Sequence, residues 1–223
     1  MTRFIAWFGT ARGSLVLLWL IWLAPRLLLA FSTVIPSSDA AWYFDRAREM
    51  SEGLGYRDHG GPTAYWPPGW PLTMTVLFRI FGVSTLVVAL FNLLCNAVSA
   101  WVMQDLARRI GHSVLAGRIA LLLIALYPNN AFYVPLAMTE CFYTALLLGM
   151  VAFAFVELRR RLREKARLID WWMLPYGIAA YVSAIAVVFS GQSRFHYPVM
   201  PFAAMVCGWL VVWWADQGSR QKE

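Results

Sequence analysis

The sequence predicts an all-α polytopic membrane protein with about six transmembrane helices, both termini inside, forming a single membrane domain over residues 1–223. Three observations carry this. The chain is 60% hydrophobic and only 14% charged, far from the balance of a soluble domain. Several apolar stretches approach or exceed the roughly 20 residues that a helix needs to cross a bilayer. The basic residues collect on alternate connections, as they do when one side of a membrane protein faces the cytoplasm.

The six stretches are Ser14–Phe31, Ser84–Met103, Leu115–Tyr133, Pro135–Val156, Trp171–Phe189 and Val199–Trp214. In hydrocarbon a segment must satisfy its own backbone hydrogen bonds, so each is read as a helix. The third has a short apolar core and is expected to span only if Arg118 snorkels to the nearer interface. Arg26, inside the first, is likewise expected to snorkel outward, with a place beside a lipid phosphate as the alternative. Arg3, Arg12, Arg108, Arg109, Arg118, the run Arg159–Arg167, Arg220 and Lys222 fall on one side; Arg46, Arg48, Arg57, Arg79 and Arg194 fall on the other. The first side is therefore cytoplasmic, and the loop carrying Asp39 is external.

That external loop, residues 32–82, is the larger of two polar pieces; the other is the basic cytoplasmic loop 157–170. Within the first, Ala40–Ser51 can form an amphipathic helix on the membrane surface. Trp42, Tyr43, Ala47 and Met50 share one side of it, and Asp45, Arg48, Glu49 and Glu52 the other. Gly53 and Gly55 stop it. Pro67-Pro68-Gly69-Trp70-Pro71 turns the chain back, and Leu72–Phe81 is too short to span and is expected to dip into the interface.

Several function classes drop away. Cys95, Cys141 and Cys207 sit in apolar runs without metal-like spacing, so they are buried small side chains and not a disulfide framework or zinc site. No Gly-rich phosphate loop or His-Glu-x-x-His helix is present. The first apolar run carries Arg26 and lacks a small-residue cleavage site, which makes it a signal-anchor helix and not a cleaved leader. The net charge of +7 suits anionic lipid better than nucleic acid, because the basic run lies between spans.

Few residues are left to carry chemistry. Asp39 precedes a helix, where a carboxylate caps free N–H groups; just above a membrane it also suits a general base, and the two roles are compatible. Glu140 lies near the outer end of the fourth span, where an ionisable group either pairs, lines a cavity or meets water. Arg194 is placed to clamp a phosphate or to meet a headgroup. His196 reads as an interfacial anchor and Tyr197 as an anchor or a substrate contact, and Trp66 and Trp70 belong to an aromatic belt, with sugar stacking as a second reading.

These pieces resemble the GT-C class of membrane glycosyltransferases, in its protein-mannosyltransferase-like branch. The matching residues are Ser38-Asp39 with Tyr43 and Ala47, Gly53-Leu54-Gly55-Tyr56, and Pro62-Thr63-Ala64-Tyr65-Trp66-Pro67-Pro68-Gly69-Trp70-Pro71 to Phe81-Gly82. Tyr127-Pro128 with Thr139-Glu140, and Ser193-Arg194-Phe195 with Tyr197-Pro198, complete the pattern. The resemblance implies inverting transfer of a sugar from a polyprenyl- or dolichyl-phosphate donor to an acceptor on the outer face of the cytoplasmic membrane. Asp39 would be the catalytic carboxylate and Glu140 the acidic position of the later loop. Arg194, with Tyr43, Arg46, Tyr65, Trp66 and Tyr197, would bind substrate. Beyond the polyprenyl-phosphate sugar as donor substrate no cofactor is assigned, and Asp39 and Glu140 leave a divalent metal open.

The chain is short for that family, with only the basic loop and one helix between the Glu140 and Arg194 regions. The chain would then be a compact natural variant, one with an internal deletion, or a subunit completed by another copy. The competing reading is a non-catalytic polyprenyl-phosphate binder or scaffold subunit of a glycosylation complex. A small transporter is a third, but the broken helix pairs of inverted repeats are missing.

Overall fold

A computed structural model describes residue 8 and residues 12–32, 34–63 and 68–164. Helix follows helix, in the order α1 (Arg12–Ala30), α2 (Ser38–Ser51), β1 (Arg57–Asp58), β2 (Gly61–Pro62), α3 (Gly69–Phe81), α4 (Thr85–Ile110), α5 (Val114–Leu126), α6 (Pro128–Phe132) and α7 (Glu140–Glu164). Among the described residues three helices, α1, α4 and α7, are long and apolar enough to cross a membrane. At 1.5 Å per residue they measure roughly 28, 39 and 38 Å, against a hydrocarbon core of about 30 Å. Val16, Leu17, Leu20 and Leu28 stand exposed along α1, and Leu90, Leu94 and Trp101 along α4. Water does not tolerate such continuous apolar surface, whereas lipid does. The protein is an all-α membrane protein.

The third predicted span is a correction. Leu115–Tyr133 is not one helix: α5 ends at Leu126, Tyr127 adopts an extended backbone, and α6 begins at Pro128. Proline disfavours helical geometry in the residue before it, which explains the break. Alone, the 13-residue α5 rises only about 20 Å. Arg118 does not snorkel either; it is 4% exposed, and its Nη1 donates to Ser14 Oγ at 2.8 Å and to the Phe8 carbonyl. The fourth span starts later than expected, at Glu140, and runs on through Glu164 into the basic segment. The fifth and sixth predicted spans lie outside the described residues.

The chain divides into two compact units: Met1–Leu23 with Ala97–Tyr127 and Tyr143–Glu223, and Ala24–Asn96 with Pro128–Phe142. In the first, α4 and α5 approach closely at Gly117, where an added Cβ would lie 2.7 Å from the Gln104 carbonyl oxygen. Only the absence of a side chain permits that approach.

In the second unit the predicted surface helix is present as α2, and it packs on α3. Its buried positions Ala40, Tyr43 and Ala47 meet Trp70, Met74 and Phe78, so the two apolar stripes run at helical spacing. The alanines bring the backbones near enough for Thr75 Oγ1, which also donates to Pro71, to reach the Ala47 carbonyl at 3.2 Å. Leu72–Phe81 thus lies within a helix whose buried side, Trp70, Met74 and Phe78, packs on α2. A two-residue hairpin turn, His59-Gly60, joins β1 to β2 with both residues at positive φ, 49° and 82°. That is the geometry whose twist suits paired strands.

Candidate functional site

Asp39 stands in the first turn of α2, half-buried; the N-cap position belongs to Ser37, whose side chain makes no capping bond. The expected capping role thus passes one turn position away, and the Asp39 carboxylate meets the positive end of the helix from inside it. Ser38, between the two, has φ 51°, a left-handed conformation that non-glycine residues seldom adopt.

Two other predicted binding residues lie on the same helix. Tyr43 is 8% exposed and forms part of the apolar cluster, edge-on to Trp42 at 5.6 Å, so its ring serves packing. Arg46, also buried, donates from Nη1 to Asp58 at 2.6 Å and from Nη2 to Glu49 at 2.9 Å. Its guanidinium carbon sits 5.7 Å from the Trp42 ring centre. The cation is thereby committed to fastening the hairpin onto α2, which the sequence reading assigned to substrate. Tyr56, edge-on to Trp42 at 5.8 Å, has its pKa raised because burial disfavours the phenolate more than the nearby Arg46 cation favours it.

Glu140 is the first residue of α7 and is 7% exposed. That position stands at the helix start, where the first backbone N–H groups have no partner within the helix. The segment leading to it is tied to the loop: Trp70 Nε1 donates to the Ala137 carbonyl at 3.0 Å, and the Trp70 and Phe142 rings lie 5.7 Å apart. The structure thus links the Asp39-bearing helix pair to the chain three residues before Glu140. Tyr65, Trp66, Arg194 and Tyr197 lie outside the described residues. Among the described residues no group of three or more His, Cys, Asp or Glu could hold a metal ion.

The most deeply buried charge was read differently from sequence. Arg26 does not snorkel; it is fully buried, and its Nε donates to Asn96 Oδ1 at 3.2 Å and Asn130 Oδ1 at 3.0 Å, with Nη2 donating to Asn130 at 2.5 Å. Asn96 Nδ2 in turn donates to the Asn130 carbonyl at 3.0 Å. One turn earlier on α4, Asn92 Nδ2 donates to the carbonyls of Val134 and Leu136. Asn92 thus supplies a donor to two carbonyls of the irregular stretch after α6, whose N–H groups at Val134 and Leu136 bond locally to Ala131 and Tyr133. The signal was legible: Asn92 and Asn96 stand four apart on a helix that is otherwise apolar around them.

No protein-family model, curated protein or solved structure matches this chain.

Proposed function

We propose that the protein is a membrane glycosyltransferase that moves a sugar from a polyprenyl-phosphate donor to an acceptor hydroxyl on the outer face of the cytoplasmic membrane. The observation that carries this reading is Asp39: a half-buried carboxylate in the first turn of a helix locked onto α3 and joined through Trp70 to the approach to Glu140. A base must be held in place to be useful, and the packing of α2 on α3 supports that role for Asp39. The resemblance in the residues around it supplies the reaction class.

In that reaction the acceptor oxygen attacks the anomeric carbon from the face opposite the lipid phosphate. The carbon–oxygen bond to phosphate breaks, polyprenyl phosphate departs with the electron pair, and the acceptor proton passes to Asp39. Glu140 stabilises charge or orients the acceptor, and Arg194 holds the donor phosphate. The orientation follows from the basic ends of α4 and α7, Arg108 and Arg109 on one and Arg159–Arg163 on the other, which favour the cytoplasmic side.

The test is incubation of the purified protein in detergent with a panel of polyprenyl-phosphate sugars, following release of free polyprenyl phosphate. Release by the wild type that disappears in Asp39→Asn is expected. Equal release by both proteins would remove Asp39 from the mechanism. Saturable donor binding without release would instead favour a non-catalytic carrier-binding subunit, a reading that the commitment of Arg46 to Asp58 and Glu49 supports.

A further inference from the structure

The basic ends of α4 and α7 line an open cavity of about 360 Å³ in the first unit, far in sequence from Asp39. Its wall consists of Arg109 from α4 and Phe155, Val156, Arg159, Arg160, Arg163 and Glu164 from α7. Four arginines thus face one carboxylate.

The arginines are not equivalent. Arg109 shares Asp105 with Arg108. Arg160 bridges Glu157 at 2.6 Å and Glu164 at 2.5 Å, so the one acid of the wall is already taken. Arg159 instead lies over the Phe155 ring, its guanidinium carbon 5.0 Å from the centre, and Arg163 projects into solvent. Neither has a carboxylate partner among the described residues. The cavity therefore offers two unneutralised guanidinium groups above a floor formed by Phe155 and Val156, the latter 55% exposed.

We propose that this cavity binds the headgroup of an anionic phospholipid, with its phosphate between Arg159 and Arg163 and its first acyl carbons against Phe155 and Val156. Guanidinium groups meet phosphate oxygens in a forked, charge-assisted geometry. An exposed apolar floor beside those cations fits an amphipathic ligand better than a free anion or a nucleic acid. The place fits as well, since α7 is a membrane-spanning helix whose last turns carry the charge. The basic run is then a specific lipid site at Arg159 and Arg163 and internal ion pairing at Arg160 and Arg161. This inference does not depend on the proposed transferase activity.

The experiment uses the full chain reconstituted into vesicles of equal parts phosphatidylglycerol and phosphatidylcholine, re-extracted in mild detergent, with co-purified phospholipid quantified. The wild type is expected to retain phosphatidylglycerol preferentially. Arg159→Gln with Arg163→Gln should reduce that preference about tenfold or more, since each surface cation contributes appreciably to binding anionic lipid. Arg48→Gln with Arg57→Gln removes the same charge from the first loop and should leave the preference intact. A wild type without preference, an unchanged preference in the first pair, or an equal loss in both pairs would each overturn the proposal. So would a first pair that loses affinity for single-stranded RNA while keeping its lipid preference. A melting curve in detergent for each variant confirms that the proteins compared are folded.

Discussion

Arg26 donates twice to a single acceptor, Asn130 Oδ1, from Nη2 at 2.5 Å and from Nε at 3.0 Å. A cation in a helix long and apolar enough to cross a membrane is thus held by an amide from the short helix that interrupts the predicted third span. Asn96 stands on both sides of the arrangement, accepting from Arg26 and donating to the Asn130 backbone.

The first prediction follows. Asn130→Ala removes the acceptor used by two guanidinium N–H groups in a fully buried place, and should destabilise the protein by about 2–3 kcal/mol. Arg26→Lys keeps the charge but replaces the planar fork with a point-like ammonium, and should lose most of the same stability. Thermal unfolding in detergent measures both. Melting temperatures equal to wild type would mean that the cluster is decoration and not structure.

The second concerns Gly117. A methyl group there would meet the Gln104 carbonyl oxygen at 2.7 Å and Arg108 Cβ at 3.1 Å, and the former is backbone that cannot swing aside. Gly117→Ala should cost about 1–3 kcal/mol by forcing α4 and α5 apart. At Gly149 in α7, apart from the local helix backbone, no atom of the described residues lies within 4 Å of where a Cβ would sit, so Gly149→Ala should be neutral or slightly stabilising through helix propensity. The contrast between the two melting temperatures is the readout; similar shifts would refute the close approach.

Much of this was legible in the sequence, for reasons that differ from element to element. Apolar runs announced α1, α4 and α7 because solvent preference is a property of the local segment. Helical spacing of Tyr43 and Ala47 announced the buried face of α2, and Gly53 its end. The fate of the arginines was not legible. Whether Arg26 or Arg118 snorkels depends on whether amides and carbonyls distant in sequence reach it: Asn96 and Asn130 do for the first, Ser14 and Phe8 for the second. Likewise Arg46 looked available until β1 delivered Asp58 to it.

A third prediction rests on Trp70, which joins the loop to the approach to Glu140. Trp70→Phe keeps most of the ring packing against Phe91 and Phe142 but leaves the buried Ala137 carbonyl without that donor, at a cost of about 1 kcal/mol. Trp70→Ala empties the site and should cost about 3–5 kcal/mol. If Trp70 also positions the two carboxylates, Trp70→Phe should lower turnover more than its small stability loss explains. Turnover measured well below the melting temperature separates the two effects, and a wild-type rate would confine Trp70 to packing.

The last prediction divides the two roles open to Asp39. As a first-turn acid it interacts with the α2 dipole, so Asp39→Asn should cost only about 0.3–1 kcal/mol of stability. As a general base its loss should slow sugar transfer about 10²–10⁴-fold. A variant of Ser37, the N-cap residue, supplies the control: Ser37→Ala perturbs the same helix end without touching a titratable group. If the Asp39 carboxylate only tethers the helix, the two variants will resemble each other, with small losses in melting temperature and near-normal release of polyprenyl phosphate. If it takes the acceptor proton, Asp39→Asn will melt close to wild type and transfer almost nothing, while Ser37→Ala remains active. The ratio of rate loss to stability loss, compared between neighbours on one turn, decides between helix anchor and base.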